Sequence, residues 1–325
     1  MITILKSGLM TTLQDLGRNG HQRYGVITSG VMDSTAHRLA NLLVGNDENE
    51  PTIEITLYGP VIRFEKDTII ALCGGDLSAN INGSFVKMWR PLYVRKGEVL
   101  EFGEVKAGCR TYLAVHGGYA IKEVLGSKST YLRAKFGGVE GRILQTGDQI
   151  GINKSEKSEL NIGCVCNSTW NISTYFFQRN VEKKVIRVMR GRQYDSFKEE
   201  SIRHFFSQPF IVSRHSDRMG YRLNGPVLEL KRKKEMISEA VSYGTIQVPA
   251  DGNPIILLAD RQTIGGYPKI AQMATVDFSI IAQTRPGETV YFQEISHEEA
   301  QRLMIIQEEE IHYIKQGIGL KYQQG

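Results

Sequence analysis

The sequence predicts a mainly β protein. Three observations carry that expectation: short runs rich in β-branched residues recur along the chain, 33 glycines punctuate them, and helical apolar periodicity is confined to a few places. The strand-like runs fall at 52–57, 61–64, 68–72, 99–102, 110–115, 185–189, 209–213, 255–258 and 288–292. Many short strands between turns imply a barrel or sandwich architecture rather than alternating β-α-β units.

Two helices stand out. Asp33 is placed to N-cap a segment whose Ala36, Leu39, Ala40 and Leu43 fall at i, i+3, i+4 and i+7, with Gly45 as its stop. Near the C-terminus, Ser296-His297-Glu298-Glu299 has capping-box form, and Ala300, Leu303, Met304, Ile311 and Ile314 continue it as an apolar stripe. The segment 195–206 is a further helical candidate. The pattern between the two halves dissolves into Asn, Ser, Lys and Glu, giving a β-barrel region over 1–160, a connector over 161–180 and a second barrel region over 181–325. A faint repetition links the halves: Gly59-Pro60-Val61-Ile62-Arg63-Phe64 parallels Gly225-Pro226-Val227-Leu228-Glu229-Leu230, and the stretch from Gly97 to Phe102 parallels that from Gly287 to Phe292.

Composition narrows the function. The chain has 325 residues, 41% apolar and 23% charged, as expected of one large or two ordinary globular domains. Forty Lys and Arg against 35 Asp and Glu leave +5, too thin an excess to argue for nucleic acid. The basic run Lys231-Arg232-Lys233-Lys234 reads as a solvated loop. Neither a signal peptide nor a stretch approaching the ~20 apolar residues of a membrane span is visible, so a cytoplasmic protein is expected. Cys73, Cys109, Cys164 and Cys166 lack zinc-site spacing, and no histidine or aspartate pattern suggests a metal.

Two polar segments each follow an apolar strand. In the first, Arg214, Arg218 and Arg222 surround Asp217, and a guanidinium fork fits a carboxylate or phosphate bidentately while Asp217 pins one arginine in place. A Ser-His-Asp triad is excluded there, because residues this close on one extended segment cannot stack nucleophile on base on orienter. In the second, Asp260, Arg261, Gln262 and Thr263 sit at a strand end before Gly265-Gly266-Tyr267, with donors suited to a carbonyl or carboxylate. Ser238-Glu239 contributes another carboxylate. No phosphate-binding P-loop and no dinucleotide fingerprint is present.

The same segments carry a resemblance. Leu13-Gln14-Asp15-Leu16-Gly17-Arg18, Ser29-Gly30-Val31-Met32-Asp33, Leu125-Gly126-Ser127-Lys128-Ser129-Thr130, Ser216-Asp217-Arg218-Met219-Gly220-Tyr221-Arg222-Leu223, Ile246-Gln247-Val248-Pro249 and Leu257-Leu258-Ala259-Asp260-Arg261-Gln262-Thr263-Ile264-Gly265-Gly266-Tyr267-Pro268 occur in order. Together they resemble the allophanate hydrolase subunit 2 family, also called the biotin-dependent carboxyltransferase family, over about residues 1–300.

That resemblance implies cyclophilin-like β-barrels, two in tandem. It implies an ATP-hydrolysing 5-oxoprolinase complex, inactive as this chain alone, that opens the 5-oxo-L-proline lactam to L-glutamate. A KipI-like (allophanate hydrolase subunit 1) protein and a LamB/YcsF-type subunit would be the partners. ATP is then used by the complex rather than bound by this chain. The alternatives are a regulator antagonising a KipI-type histidine kinase inhibitor, or a carboxyltransferase component acting on urea or a related amide, the one reading in which biotin enters. By the resemblance, Arg218 and Arg261 supply charge to a carboxylate or oxyanion, and Asp217, Asp260 and Gln262 orient those groups or the substrate N–H. Tyr267 walls the site, with Thr263 and Glu239 beside it, while Asp15 and Arg18 are carried over on motif position. The chain departs from the family at Ala240, where Ser-Glu-Gly is usual, and at Ile264, where a second Thr is usual; neither change removes a charged group.

Overall fold

The computed structural model describes residues 1–154, 170–173, 183–232 and 236–323. It forms two compact units, the first of Met1–Arg18, Ser29–Phe176 and Glu309–Gly325, the second of Asn19–Thr28 and Phe177–Glu308. The units are interleaved along the chain: Asn19–Thr28 is grouped with the second and Glu309–Gly325 with the first. Apart from 170–173, the expected connector over 161–180 lies outside the described residues, as do Cys164, Cys166, Lys233 and Lys234. Cys73 and Cys109 are buried.

The first unit carries its strands as two sheets. Six strands run in the order Gln149–Ile150, Ile2–Lys6, Val61–Phe64, Val99–Glu101, Asn80–Ile81 and Ser84–Phe85; five run Met10–Gln14, Thr52–Thr56, Ala107–Val115, Thr68–Asp76 and Pro91–Val94. Alternation gives each sheet an apolar face, and Ile2, Ile4, Ile62 and Phe64 share one core with Leu13, Ile53, Ile55, Leu72 and Leu113. The five-stranded sheet is buried on its other face too, where Thr12, Glu54, Tyr112 and Cys73 stand in cross-strand register. Helix α1 (Ser34–Leu43) covers that face, capped as the sequence predicts by the Asp33 side chain accepting from the Ala36 N–H at 3.0 Å. Several polar groups buried there are paired: Tyr112 Oη donates to Glu54 and accepts from the Asp33 N–H, and the Met32 N–H donates to Glu54.

In the second unit seven strands close into a barrel, ordered Val185–Arg190, Lys269–Met273, Thr245–Gln247, Ile255–Leu257, Gly220–Asn224, Phe210–Val212 and Thr289–Glu294. A parallel pairing of the last strand with the first completes the closure, so no edge is left open. Ile186, Val188, Phe210, Tyr221, Leu223, Ile246, Ile256, Ile270 and Phe292 are all buried. The 195–206 candidate resolves into a 3₁₀ turn, Tyr194–Ser196, and α2 (Glu199–Ser207), whose Phe205 stacks on Phe292 at 4.4 Å. After the short α3 (Phe278–Ala282) comes α4 (His297–Gln323), its entry capped by Ser296 Oγ accepting from the Glu299 N–H. The Glu299 carboxylate pairs with Arg302 instead of closing a capping box. Along α4 the buried apolar residues are Ala300, Ile311 and Ile318, while Met304 is exposed.

The repetition is real at one of its two places. Gly97 and Gly287 sit at φ +88° and +89°, a conformation that favours glycine, in the same turn. Gly97 N–H donates to Phe64 and Gly287 N–H to Val212, both at 2.7 Å, and the Phe64 and Val212 amides return to Glu98 and Glu288. The structural counterpart of Val61–Phe64 is thus Phe210–Val212, not 227–230, which makes only a single bridge, from Leu230 to Phe197.

Candidate functional site

The barrel carries most of the residues that the sequence singles out. Gly220–Asn224 and Ile255–Leu257 are antiparallel neighbours, so the loop before one and the loop after the other emerge side by side. The Asp260 N–H donates to the Arg218 carbonyl at 2.8 Å, and the side chains join as a fork: Arg218 Nε to Asp260 Oδ2 at 2.9 Å and Nη2 to Oδ1 at 3.1 Å. Both residues are buried, at 3% and 7% exposure. Asp217 is not the partner of Arg218; it is exposed and accepts from the Met219 and Gly220 N–H groups, shaping the turn that delivers Arg218. The two aspartates have different jobs, one neutralising a buried cation and one folding a loop.

Arg261 is the contrasting arginine. It is partly buried, and among the described residues its guanidinium reaches two weak acceptors, the Leu258 carbonyl at 3.3 Å and Thr28 Oγ1 at 3.4 Å. Its Nε has no hydrogen-bond partner among the described residues, and no carboxylate pairs with it there. Burial pulls its pKa down from the ordinary arginine value, yet a guanidinium keeps its charge. A desolvated guanidinium with no hydrogen-bonded carboxylate among the described residues is suited to an anion or a developing oxyanion.

A pocket of about 420 Å³ opens in the same unit, its lining including Arg192, Glu239, Val241, Lys269 and Gln272. Glu239 accepts from Lys269 Nζ at 2.9 Å and pairs with Arg192 at 3.0 Å. The hydrogen bond from Lys269, with Arg192 nearby, holds its carboxyl below the usual carboxylate range. Two cations against one carboxylate leave the pocket a net positive charge. Glu239–Ala240 pairs with Ile264–Gly265 as a two-stranded ribbon, and the Val241 N–H donates to the Thr263 carbonyl, so the segment after Asp260 borders the pocket. Gln262 and Thr263 are partly exposed, and Tyr267 is 48% exposed.

Asp15 and Arg18 belong to the first unit and are buried there, at 2% and 0% exposure. Asp15 accepts from Ser127 Oγ at 2.7 Å, Ser129 Oγ at 2.5 Å, the Lys128 N–H at 2.6 Å and the Gly17 N–H at 2.9 Å. Arg18 donates to the Val124 and Ser129 carbonyls and lies over the Phe136 ring. On this geometry both pin the loop that carries Ser127 to Phe136. Lys269, Arg192 and Thr28 carry no local sequence signal of a site; Lys269 directly follows the Gly-Gly-Tyr-Pro stretch, but nothing nearby marks it as the partner of Glu239. Among the described residues no group of three potential ligands is arranged for a metal ion, and no helix is long and apolar enough to cross a membrane.

The family model for the carboxyltransferase domain, subdomain A and B, matches residues 24–294. The chain belongs to this family. It is 39% identical over 305 residues to a 5-oxoprolinase subunit of Haemophilus influenzae, covering 93% of this chain and 94% of that protein. Identity to the corresponding 5-oxoprolinase subunit of Escherichia coli is 38% over 300 residues, with 92% and 93% covered. Among solved structures, the urea amidolyase of K. lactis aligns with a TM-score of 0.86 at 33% identity over 95% of this chain. The chain spans only 20% of that longer protein, so the family's domain also occurs inside a much larger polypeptide.

Proposed function

We propose that this chain is a subunit of a cytoplasmic enzyme complex that opens a cyclic amide, and that the complex is an ATP-dependent 5-oxoprolinase. The observation that carries the reading is Arg261, a partly buried guanidinium with no hydrogen-bonded carboxylate among the described residues, on a strand-end loop bordering a positively charged pocket. A 5-oxoproline molecule brings a carboxylate and an amide carbonyl whose oxygen gains charge as the ring is attacked, and both suit such a cation. The Arg218–Asp260 fork keeps the loop after the strand in place, and Gln262 lies on the same loop to orient the amide. Near-complete coverage by relatives named as 5-oxoprolinase subunits supports this assignment over a urea carboxyltransferase. The partners are a KipI-like and a LamB/YcsF-type subunit. ATP is a co-substrate of the assembled complex; biotin belongs to the carboxyltransferase reading alone.

The test is ATP-dependent glutamate release from 5-oxoproline by the three co-purified proteins, with this chain omitted as control. Turnover should need this chain and should fall by about 10²-fold or more in Arg261→Ala with assembly intact. Turnover that persists without the chain would move the assignment to regulation of the KipI-like partner. Dependence on a biotinylated protein would move it to carboxyl transfer.

A further inference from the structure

The pocket lined by Glu239 owes its shape to an irregularity in the barrel. Ile246 faces Ala271 across the sheet, but the next residue, Gln247, faces Lys269, so Ile270 is an extra residue, a β-bulge. Regular alternation would send Lys269 and Gln272, three positions apart, to opposite faces of the strand. With the bulge between them both line the pocket, while Ile270 and Ala271 are buried. The bulge is held from the turn after Arg190. There the Gly191 N–H donates to the Ile270 carbonyl at 2.9 Å, and a Cβ on Gly191 would stand 2.3 Å from the Lys269 carbonyl oxygen, so only glycine fits. Gln193 fixes Lys269 twice: its N–H donates to the Lys269 carbonyl and its Oε1 accepts from the Lys269 N–H, both at 3.1 Å.

Lys269 is 9% exposed, and its ammonium carries three N–H groups. One donates to Glu239 Oε2 at 2.9 Å; the other two meet no acceptor among the described residues. Arg192 pairs with the second oxygen of Glu239 at 3.0 Å, but its side chain is mostly exposed and screened by solvent. Two cations and one carboxylate leave the lining a single positive charge, which suits a monoanion. A phosphate dianion would have to sit against Glu239. The rest of the polar lining is neutral and internally paired: Gln272 Oε1 accepts from Thr245 Oγ1 at 2.8 Å and from Ser242 Oγ at 3.1 Å, and its Nε2 donates to the Tyr243 carbonyl at 2.7 Å. We propose that this pocket, of about 420 Å³, receives the carboxylate of a small monocarboxylate with an uncharged body, Lys269 donating to it while Glu239 holds the ammonium in place. The choice of 5-oxoproline as that molecule rests on the lactam-opening reading above. In that case Lys269 is a substrate-binding residue, and Arg261, on the bordering loop, is left to the amide carbonyl.

Binding of small probes to the full chain, followed by ligand-observed NMR, tests this without turnover. Cyclopentanecarboxylate and 5-oxoproline should bind, whereas 2-pyrrolidinone, which lacks the carboxylate, and inorganic phosphate should bind about tenfold more weakly. Lys269→Met should weaken both carboxylates by about tenfold. Glu239 keeps Arg192 as its partner in that variant, so no charge is stranded and the chain should fold. Glu239→Gln should act in the opposite direction and tighten both carboxylates, because it removes the one negative charge of the lining. An ion pair of purely structural value would not give opposite signs. The proposal is overturned if neither carboxylate binds, if phosphate binds as well as they do, if a folded Lys269→Met binds as the wild type does, or if Glu239→Gln fails to tighten binding. In the assembled complex, Lys269→Met should raise KM for 5-oxoproline by about tenfold while kcat changes less. If the wild-type complex releases no glutamate while the carboxylates still bind, the oxoprolinase reading fails and the subsite stands. Turnover with an unchanged KM in Lys269→Met does the reverse.

Discussion

At the residue scale, the two arginines of the barrel loops separate stability from function. Arg218 is paired inside the protein, so removing one member of its fork strands a buried charge. Arg218→Met should cost about 3–5 kcal/mol in urea denaturation, and the double variant Arg218→Met/Asp260→Leu should recover much of that loss. Arg261 should behave in the opposite way. Its charge is desolvated with no hydrogen-bonded carboxylate among the described residues, so Arg261→Met should leave the melting temperature unchanged or raise it while glutamate release falls. His37 supplies a pH signature. It is fully buried against Thr52, and burial lowers its pKa from 6.5 to about 4. Between those values the unfolded chain binds a proton that the folded chain refuses, so stability falls as pH drops from about 6.5 towards 4. The loss is on the order of 3 kcal/mol at its full extent. Urea midpoints at pH 7 and pH 4.5 should therefore differ less in His37→Gln than in the wild type.

At the scale of elements, what the sequence revealed and what it hid follow from locality. The caps at Asp33 and Ser296 were legible because a cap is a contact three residues long, and Ser296→Ala should cost about 1 kcal/mol in thermal unfolding. The strands after Thr52, Val61, Val185 and Ile255 were legible from their β-branched runs. The buried polar face of Thr52–Thr56 was not, because Glu54 looks solvent-facing until α1 and Tyr112 are placed over it. The site divides in the same way. Arg261 and Gln262 could be named from a strand followed by polar residues and a glycine pair. The pairing of Arg218 with Asp260 rather than Asp217 depends on two strands meeting 42 positions apart. The role of Lys269 likewise arises only when the barrel closes.

At the scale of the whole molecule, membership in a unit departs from order in the chain. Thr28, one of the two weak acceptors of Arg261, precedes it by 233 positions, while Glu309–Gly325 is counted with the unit that contains Met1. Synthesis meets this order one residue at a time. Domains usually fold as they leave the ribosome, the N-terminal one first. Here the first unit waits for a segment made after the whole of the barrel, and the barrel waits with one early segment already made. The first unit can be completed only after the barrel has been translated, so a nascent chain stalled before residue 309 lacks Ile311 and Ile318, which are buried in the finished chain, and a gene cut once between the halves encodes two incomplete products.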